Sequence, residues 1–172
     1  MELRPQILAQ QAKQGDKEAF GALYTLYYRE LYAYALFVLG NETLAQDAVQ
    51  EATLAAYRSI GSLRDTAAFK QWLLRILANT CRGGLREKIR SREEANTQET
   101  GDLPDGEMDF ILCAELRQAL DALEPQEREI LLLRVFGGYK SHEIASVLGC
   151  PAATVRSKQK RALAKLHDIL TD

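Results

Sequence analysis

Residues 141–165 read SHEIASVLGCPAATVRSKQKRALAK, and the order of breaks and charges along them decides the C-terminal fold. Ser141 suits an N-cap, and the residues to Leu148 carry one short helix. Gly149 tolerates positive φ, the usual conformation just beyond a helix end. Pro151 suits a first turn, where a missing N–H is no loss, so a second helix opens there. Helix, three-residue turn, helix is the layout of DNA-reading helix-turn-helix units. Between Ala152 and Leu166 lie Arg156, Lys158, Lys160, Arg161 and Lys165, with no acid among them. The whole chain has a net charge of −2, so this cationic helix is segregated against the global balance. A polyanionic partner is the direct explanation.

Periodicity assigns the faces of that helix. Val155, Ala162, Leu166 and Ile169 recur at helical spacing and form the expected core stripe. Ser157, Lys160, Arg161 and Ala164 fall opposite, flanked by Thr154 and Arg156. Long basic arms on a face of small residues suit a helix entering a major groove. A solvated charged face on an ordinary amphipathic helix is the plainer explanation; the turn and first helix weigh against it.

The chain of 172 residues allows one domain or two small ones. Its longest uncharged apolar run falls well short of the ~20 residues needed to span a bilayer. The first residues lack an apolar signal core, so the expectation is a cytoplasmic protein without membrane insertion. Cys81, Cys113 and Cys150 match neither a disulfide framework nor a zinc set, and neither metal nor cofactor is expected. Gly and Pro punctuate long segments of 3.6-residue period with no strand pattern. The fold class is all-α, with two small helical domains joined by a flexible acidic linker.

The linker covers residues 93–109, EEANTQETGDLPDGEMD, with seven acids and no base. Such a stretch cannot bury enough apolar surface to fold alone. It separates a domain of residues 1–92 from one of residues 110–172. In the first domain, a short helix from Pro5 ends before Gly15, and Asp16 caps a helix to Leu39. Asn41 or Thr43 opens a third helix, to about Ser59. Its core stripe is Ala45, Val49, Ala52, Ala56 and Ile60; its outer stripe is Asp47, Gln50, Glu51, Leu54 and Arg58. A fourth helix turns Phe69, Trp72, Leu73, Ile76 and Thr80 to the core. Gln71, Arg75, Asn79, Arg82 and Arg86 line another side, continued by Lys88, Arg90 and Arg92. Gly83-Gly84 predicts a kink or fray there.

With these elements in order, the chain resembles the extracytoplasmic-function class of bacterial sigma factors. The resemblance lies in FGALYTLYYRELYAYALFVLG (20–40), AQDAVQEATLAAYRSI (45–60), FKQWLLRILANTCR (69–82) and residues 116–163, which end in the helix-turn-helix. The D-A-V-Q-E run followed by F-x-x-W-L-x-R-I-x-x-N is its most specific part. It implies a non-enzymatic transcription initiation factor, of the kind used in stress responses, that directs core RNA polymerase to promoters. It implies core-polymerase contacts at Asp47, Gln50, Glu51 and Leu54. Contacts to the melted −10 element are implied at Leu63, Arg64, Asp65, Thr66, Lys70, Arg75, Asn79 and Arg82. Contacts to the −35 duplex are implied at Ser141, Thr154, Arg156, Ser157, Lys158, Lys160 and Arg161. An anti-sigma partner is implied as well.

The chain departs from the family pattern at Gly83, where many members have Asp, and at Gln159, where an apolar residue is usual. Leu63 stands where some relatives place an aromatic. The competing reading is an autonomous helix-turn-helix regulator with an N-terminal dimerisation or sensor module. Such a regulator has no need of the Asp47, Gln50 and Glu51 face. An enzyme is disfavoured, because no phosphate loop, nucleophile motif or metal set occurs.

Overall fold

The computed structural model describes residues 4–94 and 110–172. All regular structure among them is helical. The chain divides into two compact units between Thr100 and Gly101, within the expected linker. Residues 95–109 lie outside the described residues. Glu93 and Glu94, which the sequence assigns to the linker, still belong to the last helix of the first unit.

The first unit holds α1 (Pro5–Lys13), α2 (Lys17–Leu39), α3 (Glu42–Ser59) and α4 (Phe69–Glu94), with 3₁₀ turns at Ile60–Ser62 and Thr66–Ala68. Local chemistry places each boundary. The Asp16 carboxylate accepts from the Ala19 N–H at 3.1 Å, and the Asn41 side-chain oxygen accepts from the Leu44 N–H at 2.9 Å. Each cap satisfies one orphan N–H of a first turn. Gly40 closes α2 at φ 66°, a conformation costly for any residue with a Cβ. Along α3, Ala45, Ala48, Val49, Ala52 and Ala56 are buried. The short alanine side chains let α3 lie close against α2 and α4, with which it packs.

Helix α4 departs from the expected phase. Phe69, Leu73, Leu74, Leu77, Ala78 and Cys81 are the buried residues, whereas Trp72, Ile76 and Thr80 are half-buried. The helix packs on α1, α2 and α3 together, so a wide apolar arc is covered and its deepest line is set by three neighbours. It also continues as one helix through Gly83 and Gly84 to Glu94. A Cβ at Gly84 would meet Leu39 only at ordinary contact, 3.8 Å, so neither glycine answers a need for close approach.

The second unit contains α5 (Phe110–Asp121), α6 (Pro125–Gly137), α7 (Ser141–Leu148) and α8 (Ala152–Thr171). Its core gathers Leu123, Ile130, Leu133, Tyr139, Ile144, Val155 and Ala162. Gly149 ends α7 at φ 66°. Two boundaries shift by a residue: Lys140 occupies the N-cap of α7 with Ser141 inside the helix, and Pro151 is the N-cap of α8. Ile169, expected in the core stripe, is 42% exposed. The stripe leaves the core once α8 outruns its neighbours.

Candidate nucleic-acid and polymerase interface

On α8 the structure sorts the basic residues into two sets. Arg156, Lys160 and Arg161 are exposed, as is Ser157, and Thr154 is half-exposed. Arg156 and Lys160 form no ion pair among the described residues. Lys158 and Lys165 turn the other way, toward acids of α6. The Lys158 ammonium lies 3.5 Å from the Glu124 carboxylate, and its side chain is only 19% exposed. Lys165 donates to Glu127 Oε2 at 2.9 Å. Position 158 lies three residues after buried Val155 and four before buried Ala162, on the core side of the helix. Lys158, expected to touch DNA, is therefore a tie between α8 and α6.

Glu127 is the buried acid of this unit, with 0% exposure. Burial pushes its carboxyl up. The Lys165 hydrogen bond, the Glu124 backbone N–H and the charges of Lys165 and Arg161 outweigh that and hold it below the ordinary glutamate value. Ser141 is likewise engaged inside the unit. Arg134 Nη2 donates to its hydroxyl at 3.1 Å and to Gln159 Oε1 at 2.9 Å. Sequence reasoning marked Gln159 as a departure from the family pattern but missed Arg134 and the contact between them, because nothing near Gln159 announces a partner 25 positions away.

In the first unit the outer stripe of α3 is presented as expected. Asp47, Gln50, Glu51, Leu54 and Arg58 are all exposed, backed by the buried alanines of the same helix. Leu54 is 51% exposed, with Tyr57 beside it at 43%. An apolar centre flanked by acids and an amide suits a basic, part-apolar protein partner.

The loop and α4 strip is less uniform. Arg64, Asp65, Arg75 and Asn79 are exposed, while Thr66, Lys70 and Arg82 are half-buried. Leu63, expected at the DNA, is 2% exposed. It anchors the loop in the core between two 3₁₀ turns, so its side chain is not offered to a nucleic acid. Asp65 accepts from the Ala67 N–H at 2.9 Å and caps the second of those turns. Asn79 Oδ1 accepts from Arg82 Nη2 at 2.6 Å, which ties the amide to the next turn of the same helix. Lys70 pairs with Glu30 and sits 5.9 Å from the Tyr27 ring centre. Tyr27 stacks on Phe69 at 6.1 Å, and Phe69 meets Trp72 at 5.9 Å. Burial and the Glu30 charge raise the Tyr27 phenol above its ordinary value, so the ring stays neutral. Arg86, Lys88, Arg90 and Arg92 fall on α4, but their side chains lie outside the described residues.

Two family models match this arrangement: Sigma-70 region 2 over residues 23–91 and Sigma-70 region 4 over residues 113–166. The chain is 31% identical to the RNA polymerase sigma-H factor of Pseudomonas aeruginosa, with 91% of this chain and 89% of that one covered. It is 30% identical to the ECF RNA polymerase sigma-E factor of Escherichia coli, with 94% and 91% covered. The chain belongs to the ECF sigma factors. The fold is shared with the sigma factor RpoE from Bartonella quintana, solved in complex with the anti-sigma factor NepR (TM-score 0.74, 24% identity, 88% of this chain and 96% of that one). CnrH, solved in complex with the cytosolic domain of CnrY, is 29% identical at a TM-score of 0.69, with 97% of both chains covered.

This sigma factor is thus a transcription initiation factor. Its region 2 match spans most of α2, all of α3 and most of α4; its region 4 match spans α6, α7 and most of α5 and α8. No helix among the described residues is long and apolar enough to cross a membrane.

Proposed function

We propose that this sigma factor seats on core RNA polymerase through the α3 face of Asp47, Gln50, Glu51 and Leu54. It then selects promoters with two separate DNA surfaces. Arg64, Asp65, Thr66, Lys70, Arg75, Asn79 and Arg82 hold the opened −10 strand. Thr154, Arg156, Ser157, Lys160 and Arg161 read the −35 duplex. Leu63 and Lys158 leave the list of contacts, and Ser141 contributes by orienting α7.

The sorting of charge on α8 carries the reading. Lys158 and Lys165 are committed to acids at the start of α6, while Arg156 and Lys160 are exposed and have no ion pair among the described residues. A groove-reading helix needs such a divided arrangement. On the other unit, the exposed Asn79 amide and the half-buried Tyr27 and Trp72 rings support capture of an unstacked base, since hydrogen bonding and stacking are how flipped bases are held. Phosphodiester chemistry then belongs to the core enzyme, and this chain acts in the cytoplasm without cofactor or metal. The complex of RpoE, which shares this fold, with the anti-sigma factor NepR supports control of this chain by an anti-sigma partner.

Two substitutions test the division of labour. Glu51→Arg is expected to abolish retention on immobilised core polymerase while the helical circular dichroism stays unchanged. Arg161→Ala is expected to leave that retention intact and to weaken use of the −35 element. Loss of both activities from either folded variant contradicts the assignment of faces.

A further inference from the structure

The two hydrogen bonds from Arg134 join three helices at one guanidinium nitrogen. Arg134 sits in the last turn of α6, Ser141 opens α7, and Gln159 lies on α8. Nη2 carries two hydrogens, and its two acceptors stand at 2.9 and 3.1 Å, so that nitrogen is fully used. The same guanidinium has Nε buried without an acceptor. A part-buried cation in that state depends on the acceptors it does have.

The position of Gln159 gives the contact its consequence. The buried line of α8 is narrow: Val155 and Ala162. Such an apolar contact is nearly indifferent to a small rotation of the helix about its axis, because burial is non-directional. Three polar contacts supply the direction. Lys158 and Lys165 reach Glu124 and Glu127 at the start of α6, and Gln159 reaches Arg134 near its end. Held from both ends of α6, α8 has one rotational setting. A rotation of ~20° carries a side-chain tip ~6 Å from the axis through ~2 Å, beyond the tolerance of a base-edge hydrogen bond.

We infer that Gln159 is a positioning residue for promoter discrimination: by accepting from Arg134 it fixes the rotation at which α8 presents Arg156, Ser157, Lys160 and Arg161. Gln159 touches no base in this account; it acts through Arg134. The inference rests on the reading of α8 as the −35 reader.

The test uses full-length chain bound to core polymerase and a pool of promoters randomised across the −35 hexamer. The readout is the enrichment ratio of preferred over average hexamers. Gln159→Met keeps the size and removes the acceptor; its ratio is expected to fall by about fivefold, the loss of one directional bond, while total promoter binding changes less. Gln159→Glu keeps an acceptor for Arg134. It weakens binding to all DNA through its charge yet retains the wild-type ratio. An unchanged ratio in Gln159→Met overturns the inference, as does a fall of equal size in Gln159→Glu. If wild-type protein shows no hexamer preference at all, the failure lies instead with the −35 assignment.

Discussion

Lys165 is a lysine on a DNA-reading helix whose removal is expected to damage the fold more than the DNA contact. Its ammonium stands 2.9 Å from Oε2 of a carboxylate with no exposed surface. The other oxygen, Oε1, is buried without a partner, and the remaining support is the Glu124 N–H at 3.3 Å and the charge of Arg161. Lys165→Met keeps the aliphatic stem and removes the paired charge, leaving the buried carboxylate with only the Glu124 N–H and the charge of Arg161 to support it. Breaking a fully buried pair costs about 3–5 kcal/mol. The Lys165 side chain is 44% exposed, so water already screens part of the attraction and ~2 kcal/mol is the expected loss. Glu127→Gln removes the buried charge and keeps acceptor geometry, so its cost is nearer ~1 kcal/mol. The double variant should resemble Glu127→Gln, because no orphan charge remains.

Urea titration reads these values. The single tryptophan, Trp72, lies in the first unit, so its fluorescence follows that unit alone, whereas far-ultraviolet circular dichroism follows both. Lys165→Met should shift the dichroism transition of the second unit and leave the tryptophan transition in place. Acid supplies a second check. The folded Glu127 value is below the unfolded one, so its stabilising contribution is present above the ordinary glutamate range, about pH 4.3. It disappears as pH falls through the folded value. The gap between wild type and Lys165→Met should therefore close on acidification. A gap under ~0.5 kcal/mol at neutral pH, within the range of an ordinary surface substitution, or one that persists in acid, refutes the reasoning.

Other outcomes follow from the same geometry. Lys160→Ala should lower the slope of log affinity against log salt for duplex DNA by about 1, whereas Lys158→Ala should leave it nearly unchanged; equal slopes for the two would place Lys158 at the phosphates after all. Leu63→Ala should destabilise the first unit by about 2–4 kcal/mol in a denaturant titration, the cost of truncating a buried leucine; a change typical of an exposed loop residue would return Leu63 to the surface.

How far the residues announced all this depended on distance along the chain. Asp16, Gly40 and Gly149 act within one turn of their own positions, and the sequence placed them correctly; for the third helix it left Asn41 and Thr43 open, and the cap is Asn41. The alanine stripe of α3 was equally legible, because a single face is buried there. Helix α4 was not, since Leu73, Leu74, Leu77 and Ala78 share a broad apolar arc with Trp72 and Ile76. Only the arrangement of three packed neighbours decides which line lies deepest. Lys158 and Lys160 look alike in sequence. What separates them is Glu124, 34 positions upstream of Lys158 and brought near by folding. Gln159 and Leu63 belong to the same class: one is defined by an arginine on another helix, the other by a loop tucked between two 3₁₀ turns.

Purified core polymerase, transcribing a fragmented bacterial genome with and without this chain, tests the central claim most directly through mapped RNA 5′ ends. A new set of start sites, sharing −10 and −35 sequences and lost with Glu51→Arg, is the predicted result. Start sites identical to those of core polymerase alone would contradict the account.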